Sequence, residues 1–534
     1  MVAGATGVLV GLVVAAFDWL TADVLFAHLL KLPLGLMAVG PLVGLLLAAA
    51  CLRWLSDGGG PATTDEYIRS FHDPGRPLDT GSAPGRVLAA IATLGSGGSM
   101  GYEGPAMYAG AATGSWMQRR LARHFSTEDA KLLLVAGAAA GVAAIFKAPV
   151  TGLVFALEVP YHDDLARRML LPAAIAAATS YVTFVAFIGT DPIFPVAGHA
   201  ALNLADLGGA AAVGVFAGVF ARLFAALLAV GKKMTAAGNP WLRAVLAGTI
   251  LAGLFLAGRG LTGTNVTLGA GYDSLRWALD PDHSVALIVA LATLRALATV
   301  TTVAGGGVGG LFIPLVIQGA LVGRAASGLF DPVNATLFPV VGIAAFLGAG
   351  YGVPLAGVVF VAEFTGRPGF VVPGLIAAVV AQLVMGRASV SPFQATRRAG
   401  HLEHRLKLPV AAAVHTEVRT VPPDATIEEL FWQHLIGTRQ RAAVVVDGDT
   451  YLGTIGVDEL VAVERSDWPT AEVAAHMRTD LPVAAPTWSV SRAVQAMDVA
   501  DVDRLAVCDD GRFIGVITKD DVIRLDEILD ATGE

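Results

Sequence analysis

The sequence predicts an all-α polytopic membrane domain, built from two related halves with broken helices and followed by a duplicated α/β tail. Three observations carry that prediction. The 534-residue chain is 55% hydrophobic and 15% charged, with mean hydropathy +0.65, outside the habit of a soluble globular protein. Largely apolar runs long enough to cross a bilayer recur, as at Met1–Leu30 and Val285–Val303. A glycine-and-proline pattern near residue 101 returns near residue 310, and charged, β-prone sequence begins only after Met385.

Composition narrows the field further. Sixty-two glycines suit close helix packing and interrupted helices in lipid. Cys51 and Cys508 lie in different regions and form neither a disulfide framework nor a metal pattern. The net charge of −8 argues against nucleic acid as a partner. The apolar start lacks a basic segment and a clear cleavage site, so no removable signal peptide is expected.

In chain order, residues 1–55 read as two apolar helices divided near Lys31-Leu32-Pro33. Asp57-Gly58-Gly59-Gly60-Pro61 follows, and Thr63-Thr64-Asp65-Glu66 looks like the next helix start. A polar segment, His72 to Gly85, leads to Gly95-Ser96-Gly97-Gly98-Ser99-Met100-Gly101-Tyr102-Glu103-Gly104-Pro105. Pro105 suits the first turn of a helix, where its missing N–H would have no partner. That helix starts inside an apolar region, so its open N–H groups form an anion site. One acid, Glu103, stands at the terminus. An ionisable residue inside a membrane reads as functional; the plainer alternative is a packing crossover that Glu103 merely caps. The helix runs to the basic tract Arg119, Arg120, Arg123, a surface connection. An apolar block over 131–160 is broken at Lys147-Ala148-Pro149, and apolar segments follow at 168–190, 207–230, 241–258 and 284–303. Gly305 to Gly310 is the second glycine hinge, opening onto Leu311-Phe312-Ile313-Pro314.

The repeat is ungapped in two blocks. Gly101, Pro105, Gly110 and Gly114 match Gly310, Pro314, Gly319 and Gly323, each 209 residues apart. Gly137, Pro149, Gly152, Phe155 and Glu158 match Gly342, Pro354, Gly357, Phe360 and Glu363, each 205 apart. The halves are about 1–190 and 205–390, and paired interrupted helices place a substrate site at mid-membrane between them. A basic linker, 396–407, carries Arg397, Arg398, Arg405 and Lys407 and reads as a cytoplasmic exit. The tail, 408–534, repeats helix, strand, turn, strand, helix over about 408–465 and 472–530, with Thr426 and Ser489 as helix N-caps.

These residues resemble the chloride channel/transporter (CLC) family. Gly101-Tyr102-Glu103-Gly104-Pro105 is similar to that family's G-[K/R]-E-G-P, and Gly310-Leu311-Phe312-Ile313-Pro314 to its G-x-F-x-P. The block Gly137–Val159 is similar to its A-x-F-x-A-P-x-x-G-x-x-F-x-x-E, and the tail to a tandem pair of CBS modules. The resemblance covers nearly all of 1–395. It implies inverted repeats, a homodimer in membrane lipid with one chloride or similar anion pathway per subunit, and a multi-pass place in a bacterial inner membrane with the CBS tail cytoplasmic. It makes Glu103 the external gate. The N–H groups of Gly104, Leu311, Phe312 and Ile313 would hold the anion, without a cation to trap it.

Three departures shape the functional expectation. The resemblance also puts Gly58, Gly59 and Ser391 among the anion-binding residues, but Gly58 stands where the family's G-S-G-x-P has its anion-binding serine and offers no hydroxyl. Ser391 stands where an inner tyrosine is expected, with Phe393 nearby as a substitute, which implies an inner gate that is wide or built differently. Val159 follows Glu158 where exchangers of the family carry an internal acid. Glu158 and Glu363 read as helix-end residues. The expectation is passive, channel-like anion transport; the alternative is chloride/proton antiport with water or another group replacing the missing acid. A membrane enzyme stands last, because no second chemical group converges on Glu103. His28, His72 and His124 lack metal spacing, so no metal and no required cofactor is expected. Lys147 and Arg324 read as snorkelling residues or as positive potential for an anion. In the tail, Thr518 and Asp521 fit the family's ribose-contact pattern from Gly515, which implies an adenine nucleotide site; Gly456 and Glu459 match it less well.

Overall fold

The computed structural model describes residues 1–73, 77–121, 131–162, 164–190, 203–236, 238–278, 280, 283–330, 336–395, 406–416, 418–436 and 442–532. Arg123, His124, Arg397, Arg398 and Arg405 lie outside them. The chain forms two compact units, residues 1–398 and 399–534.

The first half of unit one contains α1 (Val2–Leu29, a π-helix over Trp19–Phe26), α2 (Leu34–Leu55), α3 (Thr64–His72) and α4 (Ala83–Gly95). It continues with α5 (Glu103–Arg120), α6 (Leu132–Phe146), α7 (Pro149–Glu158) and α8 (Leu170–Ile188). The second contains α9 (Leu204–Thr235), α10 (Pro240–Thr262), α11 (Tyr272–Ala278) and α12 (Val285–Ala304), then α13 (Phe312–Phe330), α14 (Leu337–Tyr351), α15 (Pro354–Thr365) and α16 (Val371–Met385). By length and composition, seven helical stretches among the described residues can cross a membrane. At 10 to 15 residues, α6, α7, α14 and α15 are too short for a bilayer core of about 30 Å.

Two of those short helices, α6 and α14, are the most deeply buried. Every residue of α14 is buried, as is α6 from Leu133 onward. The outer helices show apolar side chains outward, among them Leu171, Phe187, Leu246 and Leu383. Lys147 and Gly352, 205 residues apart, end α6 and α14 in the left-handed region at φ 51° and 67°. Pro149 and Pro354 then open the next helices where a missing N–H is harmless. Lys147 is thus a helix terminator first, and Arg324 Nε donates to the Asp280 carbonyl at 3.3 Å. The repeated glycines do the same work in each half. A Cβ on Gly110 would stand 2.1 Å from the Gly137 carbonyl, and one on Gly319 2.4 Å from that of Gly342. Backbone lies on backbone where α5 crosses α6 and α13 crosses α14.

The tail is one five-stranded sheet in the order β1-β2-β3-β5-β4. Its strands are β1 (Thr420–Val421), β2 (Ala442–Asp447), β3 (Thr450–Gly456), β4 (Arg504–Asp509) and β5 (Arg512–Thr518). The hairpins β2–β3 and β4–β5 carry the same bulge, at Val445/Val446 and Val507/Cys508, and meet where Thr450 pairs with Arg512. Helices α17 (Val457–Val461), α18 (Val490–Val499) and α19 (Lys519–Thr532) complete the copies. Thr426 and Ser489 cap as expected, accepting from Glu429 N and Arg492 N at 3.2 Å each.

Candidate functional site

The site begins with two glycines. Gly101 and Gly310, equivalent in the repeat, pair as an antiparallel bridge with N–H···O distances of 2.9 and 2.8 Å. A local two-fold therefore passes between them, and α5 and α13 start facing one another. Glu103 and Phe312 are the next equivalent pair, and they bond directly: Phe312 N donates to Glu103 Oε1 at 2.6 Å. The carboxylate is buried, and its Oε2 has no hydrogen-bond partner among the described groups. It fits because neither flanking glycine has a side chain. A Cβ on Gly101 would stand 1.9 Å from Oε2, and one on Gly310 2.0 Å from Oε1.

Around this core lie Gly104, Leu311 and Ile313, all buried. Across from Gly104 stand Gly310 and the Thr63 hydroxyl, which donates to the Gly309 carbonyl at 3.2 Å. The Tyr351 hydroxyl, at the end of α14, faces the Thr64 side chain and the Leu311 backbone, within electrostatic reach of Glu103 and Asp65. On the opposite flank Tyr272 stacks on Tyr102 at 6.0 Å, within reach of Glu103 and Asp18. The floor is aromatic: the Phe312 ring packs on Phe146, Phe155 and Phe360 at 4.5, 5.1 and 5.0 Å. The ring of Tyr351 meets Phe155 at 5.4 Å. The N-termini of α3, α5 and α13 thus surround a carboxylate with partial positive charge and neutral hydroxyls. That arrangement can hold one monovalent anion or the carboxylate, not both comfortably.

Gly58 and Gly59 form the turn that ends α2: Gly58 N donates to Leu52 O at 3.0 Å and Gly59 N to Ser56 O at 2.7 Å. Gly58, at φ 76°, is exposed, and a Cβ there would meet nothing within 4 Å. Their N–H groups thus bond the end of α2, while Thr63, at the start of α3, is the residue of this segment whose hydroxyl lies by Gly104 and Gly309. Ser391 is buried with its hydroxyl unpartnered among the described groups, while its N–H takes a 3.1 Å bond to Ser389 Oγ. A different tyrosine, Tyr351, lies by Phe155 from the end of α14. Its sequence signal was its place 205 residues after Phe146 in the repeat.

Glu158 and Glu363 each cap a helix of the other half. Glu158 accepts from Leu355 N and Ala356 N at 3.1 and 2.8 Å; Glu363 accepts from Val150 N and Thr151 N at 3.0 and 2.8 Å. In the tail, Asp521 Oδ2 accepts from Thr518 N and Oγ1 at 2.9 and 2.7 Å, and Thr518 Oγ1 accepts from Asp521 N at 3.1 Å. Those side chains cap α19, as Glu459 does α17 by accepting from Gly456 N at 2.8 Å.

A family model described as voltage gated chloride channel matches residues 42–386, and a CBS domain model matches residues 410–465 and 471–527. The chain is similar to an H(+)/Cl(-) exchange transporter ClcA of Yersinia pseudotuberculosis serotype IB (strain PB1/+), 27% identical over 422 residues. That match covers 74% of this chain and 87% of the relative. Among solved structures, a slow cyanobacterial Cl-/H+ antiporter superposes with TM-score 0.64 and 19% identity, over 72% of this chain and 93% of the other. A eukaryotic CLC transporter superposes with TM-score 0.61 and 17% identity, over 97% of each chain.

Proposed function

The chain belongs to the voltage gated chloride channel family, whose members carry small anions across membranes; from that premise we propose that it exchanges chloride for protons through a pathway gated by Glu103. The observation that carries this reading is the 2.6 Å bond from Phe312 N to the Glu103 carboxylate, a negative group seated on the amides an anion would use. Likeness to an exchange transporter supports coupling over passive conduction. Carboxylate and chloride compete for the same helix termini. A proton taken up by Glu103 removes its claim on those amides, the side chain leaves, and the anion takes its place. Return of the carboxylate delivers the proton and expels the anion. Val159, which cannot take a proton, favours the second reading, a passive channel. Under exchange, water and hydroxyls such as that of Tyr351 bridge the gap that Val159 leaves.

The protein works, in this reading, as a homodimer in the inner membrane with its tail in the cytoplasm. The tail takes an adenine nucleotide when Thr518 and Asp521 give up their mutual bonds for a ribose. Liposomes recorded for chloride and protons together test the main claim. A chloride gradient should drive protons uphill, and Glu103→Gln should end that movement while leaving an anion flux that no longer depends on pH. Chloride flux without proton movement in the wild type would establish the channel instead. Wild-type flux and pH response in Glu103→Gln would remove Glu103 from the gate.

A further inference from the structure

One ion pair stands beside the pathway with no part in the account above. Asp65, in the first turn of α3 and next to Thr64, accepts from Lys232 Nζ at 2.5 Å. Lys232 lies in the last turn of α9 and donates also to the Val390 carbonyl at 2.8 Å. The pair is mostly withdrawn from solvent, its side chains 9% and 26% exposed. Three elements meet there: the α3 terminus, the α9 terminus, and the segment that carries buried Ser391. The other charges of the first α3 turns are engaged nearby. Arg69 bonds Glu66 at 3.5 Å and lies over the Phe393 ring at 3.8 Å. Asp65 follows Thr63 by two residues, and the Thr63 hydroxyl lies by Gly104 and bonds the Gly309 carbonyl at 3.2 Å, so the pair stands within a helical turn of the gate's own terminus, on the way to Val390.

An acid at this point is a problem for an anion path. Alone, its charge would cancel the attraction of the α3 terminus and repel the ion. A bare ammonium would err the other way, binding the anion too tightly to release it. We propose that Lys232 is the specificity-determining cation of the inner mouth: it rests on Asp65 between transport events and turns to the anion as it enters. The paired state keeps the mouth neutral, and the anion displaces a carboxylate from a cation here as it does from amides at Glu103. This inference rests on the transport pathway proposed above.

The test uses the full chain in liposomes, with chloride flux measured against internal chloride concentration. Lys232→Met leaves Asp65 uncompensated, so flux should fall by about tenfold. Asp65→Asn frees the ammonium, so the chloride concentration at half-maximal flux should fall by about tenfold while maximal flux drops. Asp65→Asn combined with Lys232→Met removes both charges, and flux should return to within about threefold of wild type. Lys232→Arg should retain transport. The same order should persist in a Glu103→Ala background, since gate and mouth are separate. If the pair only ties elements together, both single variants lose flux without a change in chloride dependence, and the double variant is no better than the worse single. That result overturns the proposal. A wild type that carries no chloride would instead defeat the transport reading, and this inference with it.

Discussion

Replacing Gly101 by alanine adds one methyl group directly against the gate. The three nearest atoms to its Cβ all belong to Glu103: Oε2 at 1.9 Å, Cδ at 2.6 Å and Oε1 at 2.7 Å. Real Cβ contacts stay beyond 3.0 Å, so the carboxylate must retreat by at least 1.1 Å, the difference between 3.0 and 1.9. Gly101 does not need a positive φ, so alanine brings no backbone strain of its own. The side chain yields rather than the fold. Retreat breaks the 2.6 Å bond from Phe312 N. A hydrogen bond to a charged group is worth about 1.5–3 kcal/mol, so the gate should hold its site roughly 10- to 100-fold more weakly. Chloride efflux from liposomes at neutral pH should therefore rise toward the level of Glu103→Ala, with proton coupling reduced. In a Glu103→Ala background the same substitution should do nothing. Wild-type efflux in Gly101→Ala, or an equal effect with Glu103 already gone, would refute the steric argument. Gly310→Ala is a poorer test, because its Cβ would also meet Gly104 N at 2.5 Å.

Tyr351→Phe keeps the ring against Phe155 and deletes the hydroxyl facing Thr64 and Leu311. One lost hydrogen bond, about 0.5–1.5 kcal/mol, should weaken chloride affinity by up to about tenfold in a flux titration. Glu158→Gln removes charge from the cap on Leu355 and Ala356. It should cost about 1 kcal/mol, lowering the melting temperature in detergent by a few degrees while the chloride-to-proton ratio stays unchanged. Asp521→Ala should weaken binding of ATP or a relative to the purified full chain in calorimetry; no binding by the wild type would leave Thr518 and Asp521 as a helix cap alone.

Much of the fold was legible because the repeat preserves the residues that backbone geometry demands. Gly110 and Gly319 recur because two backbones touch there, and Pro149 and Pro354 recur because both start helices. Glu103 was legible as an acid without a partner before a Gly-Pro pair. Less legible was the role of one loop. Gly58-Gly59-Gly60-Pro61 has the look of a pathway turn, yet its local chemistry is that of a helix end, with positive φ at Asp57 and Gly58. The start of α3, at Thr64, was visible as Thr-Thr-Asp-Glu, but nothing in the sequence said that the Thr63 hydroxyl lies by Gly104 and Gly309. Tyr351 carries no sequence signal beyond its place in the repeat, because it comes from the end of α14 and not from the segment around Ser391. The Asp65–Lys232 pair joins residues 167 apart, with no periodicity to announce it.

The crossed caps at Glu158 and Glu363 bear on how such a chain could arise. Each half leaves one helix start uncapped in an apolar surrounding until the other half supplies its acid. A chain of a single half could meet that need only by associating with a second, inverted copy about a two-fold axis, the same four N–H···O bonds then running between two molecules. Fusion into one polypeptide fixes their number at one of each and releases the two copies from having to be identical. The position shared by Glu103 and Phe312 shows why that release matters. Two glutamates there would place like charges across the two-fold, and two phenylalanines would leave nothing to titrate. One of each gives a single acid at the centre of a symmetric frame, an arrangement open only to halves that evolve separately while still completing one another.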